Sequence, residues 1–296
     1  MANSWHLQKE KAGRGLLKLT LFLVAYMPKI LLKPTIFLVS FIYYLICKNE
    51  RKNIKFYLNL LSCNGVKPKW AFWNFYHFAI SICDKFRVWQ GRINRDNIIL
   101  MNEKEIKNQF LNSKKGRVLL VSHFGNIDIA RTISNEVANL DITILMYTKH
   151  SSEFFKILNE VSKVPIKVLE VSNLDMATML KIKEIIDSGG HIGIMGDRVA
   201  VNGNKNAKVE LLGRKCEIGA GPYLLAHLLK TKLSTFWAIK KGENYELTFD
   251  NIADEVVLDR DKNVDKYAQI YADKLTNMCK KYPHLWFNFF DFWGVR

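Results

Sequence analysis

The sequence predicts an α/β fold: a mostly parallel central sheet flanked by helices, preceded by an N-terminal apolar helical segment that anchors to a membrane. Three observations predict it. Short apolar runs alternate with helically periodic stretches between residues 117 and 195, the pattern of parallel strands joined by crossover helices. Residues 16–47 are dense in Leu, Ile, Val, Phe and Tyr. Charge is strongly skewed along the chain: residues 1–120 hold 21 Lys/Arg and 6 Asp/Glu, a net of +15, while 121–296 hold 23 and 22, a net of +1. With 296 residues and 49% hydrophobic content the chain divides into a membrane-associating segment, 1–58, and one α/β domain, 59–296.

Within 16–47, Lys18, Pro28, Lys29, Lys33 and Pro34 break the apolar run into pieces of about 9 to 13 residues, too short to cross a bilayer alone. One or two helices dipping into a membrane surface, with lysines snorkelling to the headgroups, fit this pattern; a pair of buried core helices is the alternative. Lys48, Arg51, Lys52 and Lys55 follow, a cationic stretch suited to an anionic cytoplasmic leaflet. The basic third of the chain suits anionic lipid or an acidic carrier protein. Nucleic acid is the poorest fit, because the cations flank apolar segments and no nucleic-acid module is visible. The five cysteines, Cys47, Cys63, Cys83, Cys216 and Cys279, contain no C-x-x-C pair, which predicts reduced thiols in a cytosol-facing protein with no zinc site. Cys216 reads as a small buried side chain rather than a nucleophile.

Residues 59–115 read as largely helical, with an aromatic block from Trp70 to Phe78, a strand from Val88 to Arg95 and a charged helix over 103–113. Val118–Val121 reads as a fully buried strand. A helix is expected from Ile127 to about Asn139, strands over 141–146, 166–171 and 191–195, and helices over 153–162 and 175–187. Beyond these, a polar loop and hairpin occupy 200–222, with a short strand over 209–212, and a helix opens at Gly221-Pro222. Two antiparallel strands, 235–240 and 245–250, and a helix over 263–281 complete the domain.

The buried strand ends at Ser122-His123, and the turn Phe124-Gly125-Asn126 leads to Asp128 in the first turn of the next helix. On one strand His123 and Asp128 would be roughly 16 Å apart on opposite faces; on one helix they would point about 140° apart. Only a turn between them lets Asp128 accept the Nδ1–H of His123, leaving Nε2 as the acceptor a general base needs. A structural histidine capped by a nearby acid is the plainer alternative. A second polar pair, Asp197-Arg198, ends the strand His191–Met195. Ligands bind beyond the carboxyl ends of parallel strands, so His123 and Asp197 can share a crevice. Arg198 offers a forked donor for a phosphate, a carboxylate or an oxyanion, with a surface ion pair as the alternative. His191, inside the strand, reads as a core histidine.

Three stretches carry a resemblance: His123-Phe-Gly-Asn-Ile-Asp128, Gly190-His-Ile-Gly-Ile-Met-Gly-Asp-Arg-Val199, and the Trp-Phe-Asn-Phe segment at Trp286–Phe289. The first is similar to the H-x4-D motif of the glycerolipid and lipid A acyltransferase superfamily. The three together, in this order, resemble its lipid A biosynthesis branch, the lauroyl/myristoyl type. The Phe-Pro-Glu-Gly-Thr motif that glycerophosphate acyltransferases use for the phosphate is absent, which points away from a glycerolipid acceptor. The resemblance implies a bacterial inner-membrane enzyme on the cytoplasmic face. It implies transfer of an acyl group from an acyl thioester, with acyl carrier protein as donor, to a hydroxyl of a membrane lipid or saccharolipid such as a lipid A precursor. His123 and Asp128 are its catalytic pair, Gly125, Asn126, Asp197 and Arg198 contact substrate, the Gly125 or Asn126 amide or Arg198 holds the oxyanion, and no metal or cofactor takes part. Transfer to another bacterial lipid, hydrolysis of a lipid or thioester, and a catalytically inert scaffold on the same fold are the competing readings.

Overall fold

A computed structural model of the protein describes residues 26–101, 103–106, 114–130, 141–146, 167–170, 175–199, 205–261 and 263–294. The helices expected over 131–139 and 153–162, and the first part of the apolar segment, lie outside the described residues.

The central element is β2 (Arg117–Val121), buried at every position. It lies inside a seven-stranded sheet with β1 (Ile98–Leu100), β3 (Ile142–Met146), β4 (Val168–Glu170), β5 (His191–Met195), β8 (Lys232–Lys241) and β9 (Asn244–Ala253), in the order β1-β9-β8-β2-β5-β3-β4. Every neighbouring pair is parallel except the β8–β9 hairpin. Side chains alternate across β2: Val118 and Leu120 enter one apolar core, Leu119 and Val121 the other. Burial on both faces explains why β2 reads as a continuous apolar run rather than an alternating one. A separate antiparallel hairpin joins β6 (Asn206–Leu211) and β7 (Arg214–Gly219).

Helices α1 (Lys29–Ile46), α2 (Lys48–Cys63) and α3 (Phe72–Trp89) come first, and α4 (Met176–Asp187), α5 (Gly221–Leu228) and α6 (Asp265–Lys281) are interleaved with the strands. The inner face of α2, Ile54, Tyr57, Leu58 and Leu61, is buried. It meets the C-terminal tail, where the Tyr57 hydroxyl donates to the Pro283 carbonyl at 2.9 Å and Asn53 Nδ2 to the Phe289 carbonyl at 3.0 Å. The aromatic block divides: Phe72 and Phe75 are buried, Trp70 and Phe78 exposed.

α1 is only partly covered. Ile36, Ser40, Tyr44 and Cys47 form one buried stripe at helical spacing, while Ile30, Leu38 and Ile46 are 81%, 60% and 70% exposed. A contiguous exposed apolar face of this kind marks an interaction surface. Among the described residues no single helix is long and apolar enough to cross a membrane; α1 and α2 meet that test only together, bent by 96°.

Two expectations are corrected. Val88–Arg95 is not a strand: α3 continues through Trp89, because Phe86 and Trp89 extend the three-residue spacing of buried side chains begun at Cys83. Gly91, at φ 68°, then turns the chain into a short 3₁₀ turn capped by Asn94. The strand that does form, β1, begins three residues beyond Arg95 and pairs with β9 at the sheet edge. The hairpin expected within 200–222 forms, but from two full strands, β6 and β7, rather than the short strand expected over 209–212.

Candidate active site

β2 and β5 lie side by side in parallel register, with Val121 opposite Met195. Two residues further along each strand, the same offset places His123 opposite Asp197. Gly196 lets the strands stay close there: a Cβ on it would come within 2.6 Å of Leu120 and 3.0 Å of Tyr271. The Asp197 carboxylate takes three hydrogen bonds. The His123 amide donates to Oδ2 at 2.8 Å, His123 Nδ1–H to Oδ1 at 2.9 Å, and Trp286 Nε1–H to Oδ2 at 3.0 Å.

Asp197 is 2% exposed, whereas the His123 side chain keeps 31% of its surface open. Burial alone would raise the Asp197 carboxyl, but the His123 ring, Arg198 and the Trp286 indole outweigh it and hold it at about 2. His123 lies below its ordinary value, first through burial and then through the Arg198 charge, with Lys85 acting in the same sense and Asp197 opposing. At neutral pH an ionised carboxylate therefore faces a neutral imidazole. The carboxylate fixes the proton on Nδ1, so Nε2 carries the lone pair.

The turn after His123 is bound on all sides. The Phe287 amide donates to the His123 carbonyl at 2.7 Å and Phe124 bridges Trp286. The Gly125 amide donates to the Leu285 carbonyl at 2.9 Å, the Asn126 amide to the Ala238 carbonyl at 3.1 Å, and Ser81 Oγ to the Gly125 carbonyl at 3.2 Å. Gly125 adopts φ +65°, and a Cβ there would lie 2.1 Å from the Ala238 carbonyl oxygen; only glycine fits so close a backbone approach in this region. The Asn126 side chain caps the next 3₁₀ turn by accepting from the Asp128 amide at 3.2 Å.

Two sequence expectations change accordingly. Asp128 does not take Nδ1 of His123: its carboxylate pairs with Lys85 Nζ of α3 at 2.8 Å, because the turn carries it toward α3 while the β2–β5 register brings Asp197 to the ring. The Gly125 and Asn126 amides are not open to an oxyanion, since neighbouring carbonyls already hold both. Asp197, expected to share a crevice with His123, is bonded directly to its ring. Arg198 lies close by, its guanidinium 4.6 Å from the centre of the Phe290 ring. The two groups that sequence reasoning missed are Trp286 and Lys85. The resemblance singles out the tail around Trp286 but not the indole's bond, and no pattern marks Lys85.

His191 is a core histidine as expected. It is 1% exposed and its Nδ1 accepts from the Arg117 amide at 3.2 Å. Cys216 lies in β7, and burial pushes its thiol up to about 12, far from thiolate character. Among the described residues no group of three or more His, Cys, Asp or Glu side chains is arranged to hold a metal ion.

The site thus offers a neutral, partly exposed imidazole whose Nδ1 is held by a buried acid, with cations nearby. That is the equipment for taking a proton from a hydroxyl. No curated protein matches the chain significantly. The family model described as "Bacterial lipid A biosynthesis acyltransferase" matches residues 10–293, nearly the whole chain and all three groups around the histidine, and the chain therefore belongs to that family of acyltransferases.

Proposed function

We propose that the protein moves a fatty acyl group from acyl carrier protein to a hydroxyl of a lipid A precursor or a related membrane saccharolipid, at the cytoplasmic face of the bacterial inner membrane. Nε2 of His123 takes the hydroxyl proton as the oxygen attacks the thioester carbonyl. The C–O bond forms and the carbonyl oxygen becomes an oxyanion. Collapse breaks the C–S bond, and the imidazolium returns its proton to the leaving thiolate. Asp197, not Asp128, holds the ring and stabilises its charged form. With the Gly125 and Asn126 amides engaged, Lys85 and Arg198, whose charges both reach the ring, stabilise the oxyanion; Asp128 positions Lys85 for this. The basic N-terminal third of the chain suits an acidic carrier and anionic headgroups, and the exposed apolar face of α1 suits a bilayer surface.

The observation that carries the reading is the carboxylate–imidazole pair at the ends of β2 and β5, with the ring partly open and the acid buried. His123→Ala should lower acyl transfer by about 10²–10⁴-fold, the range for a positioned general base; unchanged transfer rejects the mechanism. Product analysis with donor, with and without acceptor, separates transfer from thioester hydrolysis. Mass spectrometry of membrane lipids from cells with and without the protein names the acceptor and the chain.

A further inference from the structure

Behind the His123 turn lies a cavity of about 510 Å³, walled by α1, α3, the β8–β9 turn and the start of the tail. Leu285, whose carbonyl holds the Gly125 amide, is part of its lining, as is Ile80, next to Ser81. The charge of this lining is uneven: Lys33, Arg87, Lys240, Lys241 and Lys281 face two carboxylates, Asp84 and Glu243, a net of +3 with the histidines neutral. Asp84 is buried and organises part of the set. It accepts from Arg87 at 3.0 Å, from Lys240 at 2.5 Å and from the Tyr245 hydroxyl at 2.6 Å. Lys241 and Lys281 stand outside the Asp84 network: both lie over the Tyr282 ring, at 4.9 and 5.4 Å, and Lys241 is also 4.0 Å from Glu246 Oε2. α1 contributes two apolar side chains, Leu32 and Ile36, beside Lys33.

An excess of fixed cations inside a concavity is a site for a multiply charged anion. The two apolar side chains on the partly exposed helix make it a site for an anion that carries a hydrocarbon part. We infer that this cavity binds the phosphate group of a phosphorylated lipid, the head on Lys241 and Lys281 and the apolar portion along Leu32 and Ile36. The inference rests on the acyltransferase reading only in making that lipid the acceptor; the binding itself does not depend on it. A lipid is favoured over the phosphodiester of a carrier's prosthetic arm because Leu32 and Ile36 belong to α1, the helix whose outer surface is exposed hydrocarbon.

The test is calorimetric titration of the full chain in uncharged detergent with four probes: dihexanoyl phosphatidic acid, dihexanoylglycerol, inorganic phosphate and pantetheine 4′-phosphate. The phosphorylated lipid should bind at least tenfold tighter than each of the other three. Lys241→Gln with Lys281→Gln, both exposed, should weaken it about tenfold or more, as loss of two charge contacts predicts. Lys33→Gln, at a side chain 71% exposed, gives a second variant with little bearing on folding and should weaken it severalfold. Equal binding of dihexanoylglycerol, tighter binding of pantetheine 4′-phosphate or inorganic phosphate, or wild-type affinity in the folded lysine variants would each overturn the assignment. His123→Ala should bind the phosphorylated lipid as the wild type does, so a failure of the catalytic reading and a failure of this site give different results.

Discussion

Asp197→Asn isolates the contribution of one oxygen atom. The two donors on Oδ2, the His123 amide and the Trp286 indole at 2.8 and 3.0 Å, demand an acceptor, so the amide oxygen of the asparagine turns toward them. Its NH₂ then occupies the place of Oδ1, 2.9 Å from Nδ1, and donates to it. The ring proton moves to Nε2, and that nitrogen loses its acceptor lone pair. The amide-for-acid exchange in a Ser-His-Asp triad, where the same tautomer inversion occurs, costs about 10⁴ in rate; here we expect about 10²–10⁴ in kcat/KM. Stability should change little, because the fixed donors keep their acceptor. The pH profile gives the sharper readout. Asp197 raises the His123 pKa against burial and Arg198, so removing its charge lowers that pKa further. Activity needs the neutral ring, so the acid limb, already below pH 6.5 in the wild type, should move to lower pH in the residual activity. The assay is acyl transfer from a thioester donor, followed as kcat/KM from pH 4.5 to 8, with thermal unfolding alongside. A folded variant within threefold of wild-type rate, or an unmoved acid limb, refutes the reasoning.

Lys85→Met should shift the acid limb the other way, to higher pH, because the Lys85 charge lowers the His123 pKa; it should also reduce kcat more than it raises KM, as loss of an oxyanion partner requires. Trp286→Phe keeps the ring packing but removes one donor from a buried carboxylate, so unfolding in urea should reveal a loss of about 1–3 kcal/mol, with a smaller rate defect than Asp197→Asn. His191, held at about 4 by burial and the neighbouring Arg117 charge, binds a proton in the unfolded chain at pH values where the folded chain does not. Its contribution to stability is complete above about pH 6.5 and falls by up to about 3 kcal/mol as the pH drops toward 4; urea midpoints across that range should be flatter in His191→Asn, whose amide oxygen can still accept from the Arg117 amide.

β2 and β5 were readable because strands buried on both faces are continuous apolar runs between turn residues, and each ends in the polar group that matters. Which acid meets His123 was not readable. Sequence distance favours Asp128, five residues away; the actual partner is 74 residues away and is chosen by which strand lies beside β2 and in what register. The hydrogen bond from the Gly125 amide to the Leu285 carbonyl was hidden for the same reason, since the tail that supplies the acceptor returns from the far end of the chain. Val88–Arg95, a short stretch with Arg92 and Arg95, looked like a strand, but the buried spacing of Cys83, Phe86 and Trp89 decided for helix.

The tail segment Leu285–Phe287 supplies a carbonyl to Gly125, an indole to Asp197 and an amide to His123. Synthesis therefore delivers His123 and Asp197 long before the clasp that sets them. On the proposed mechanism the site cannot be complete until residues 285–287 have folded back onto it. On that mechanism, proteolysis just before them should abolish transfer while leaving His123 and Asp197 intact.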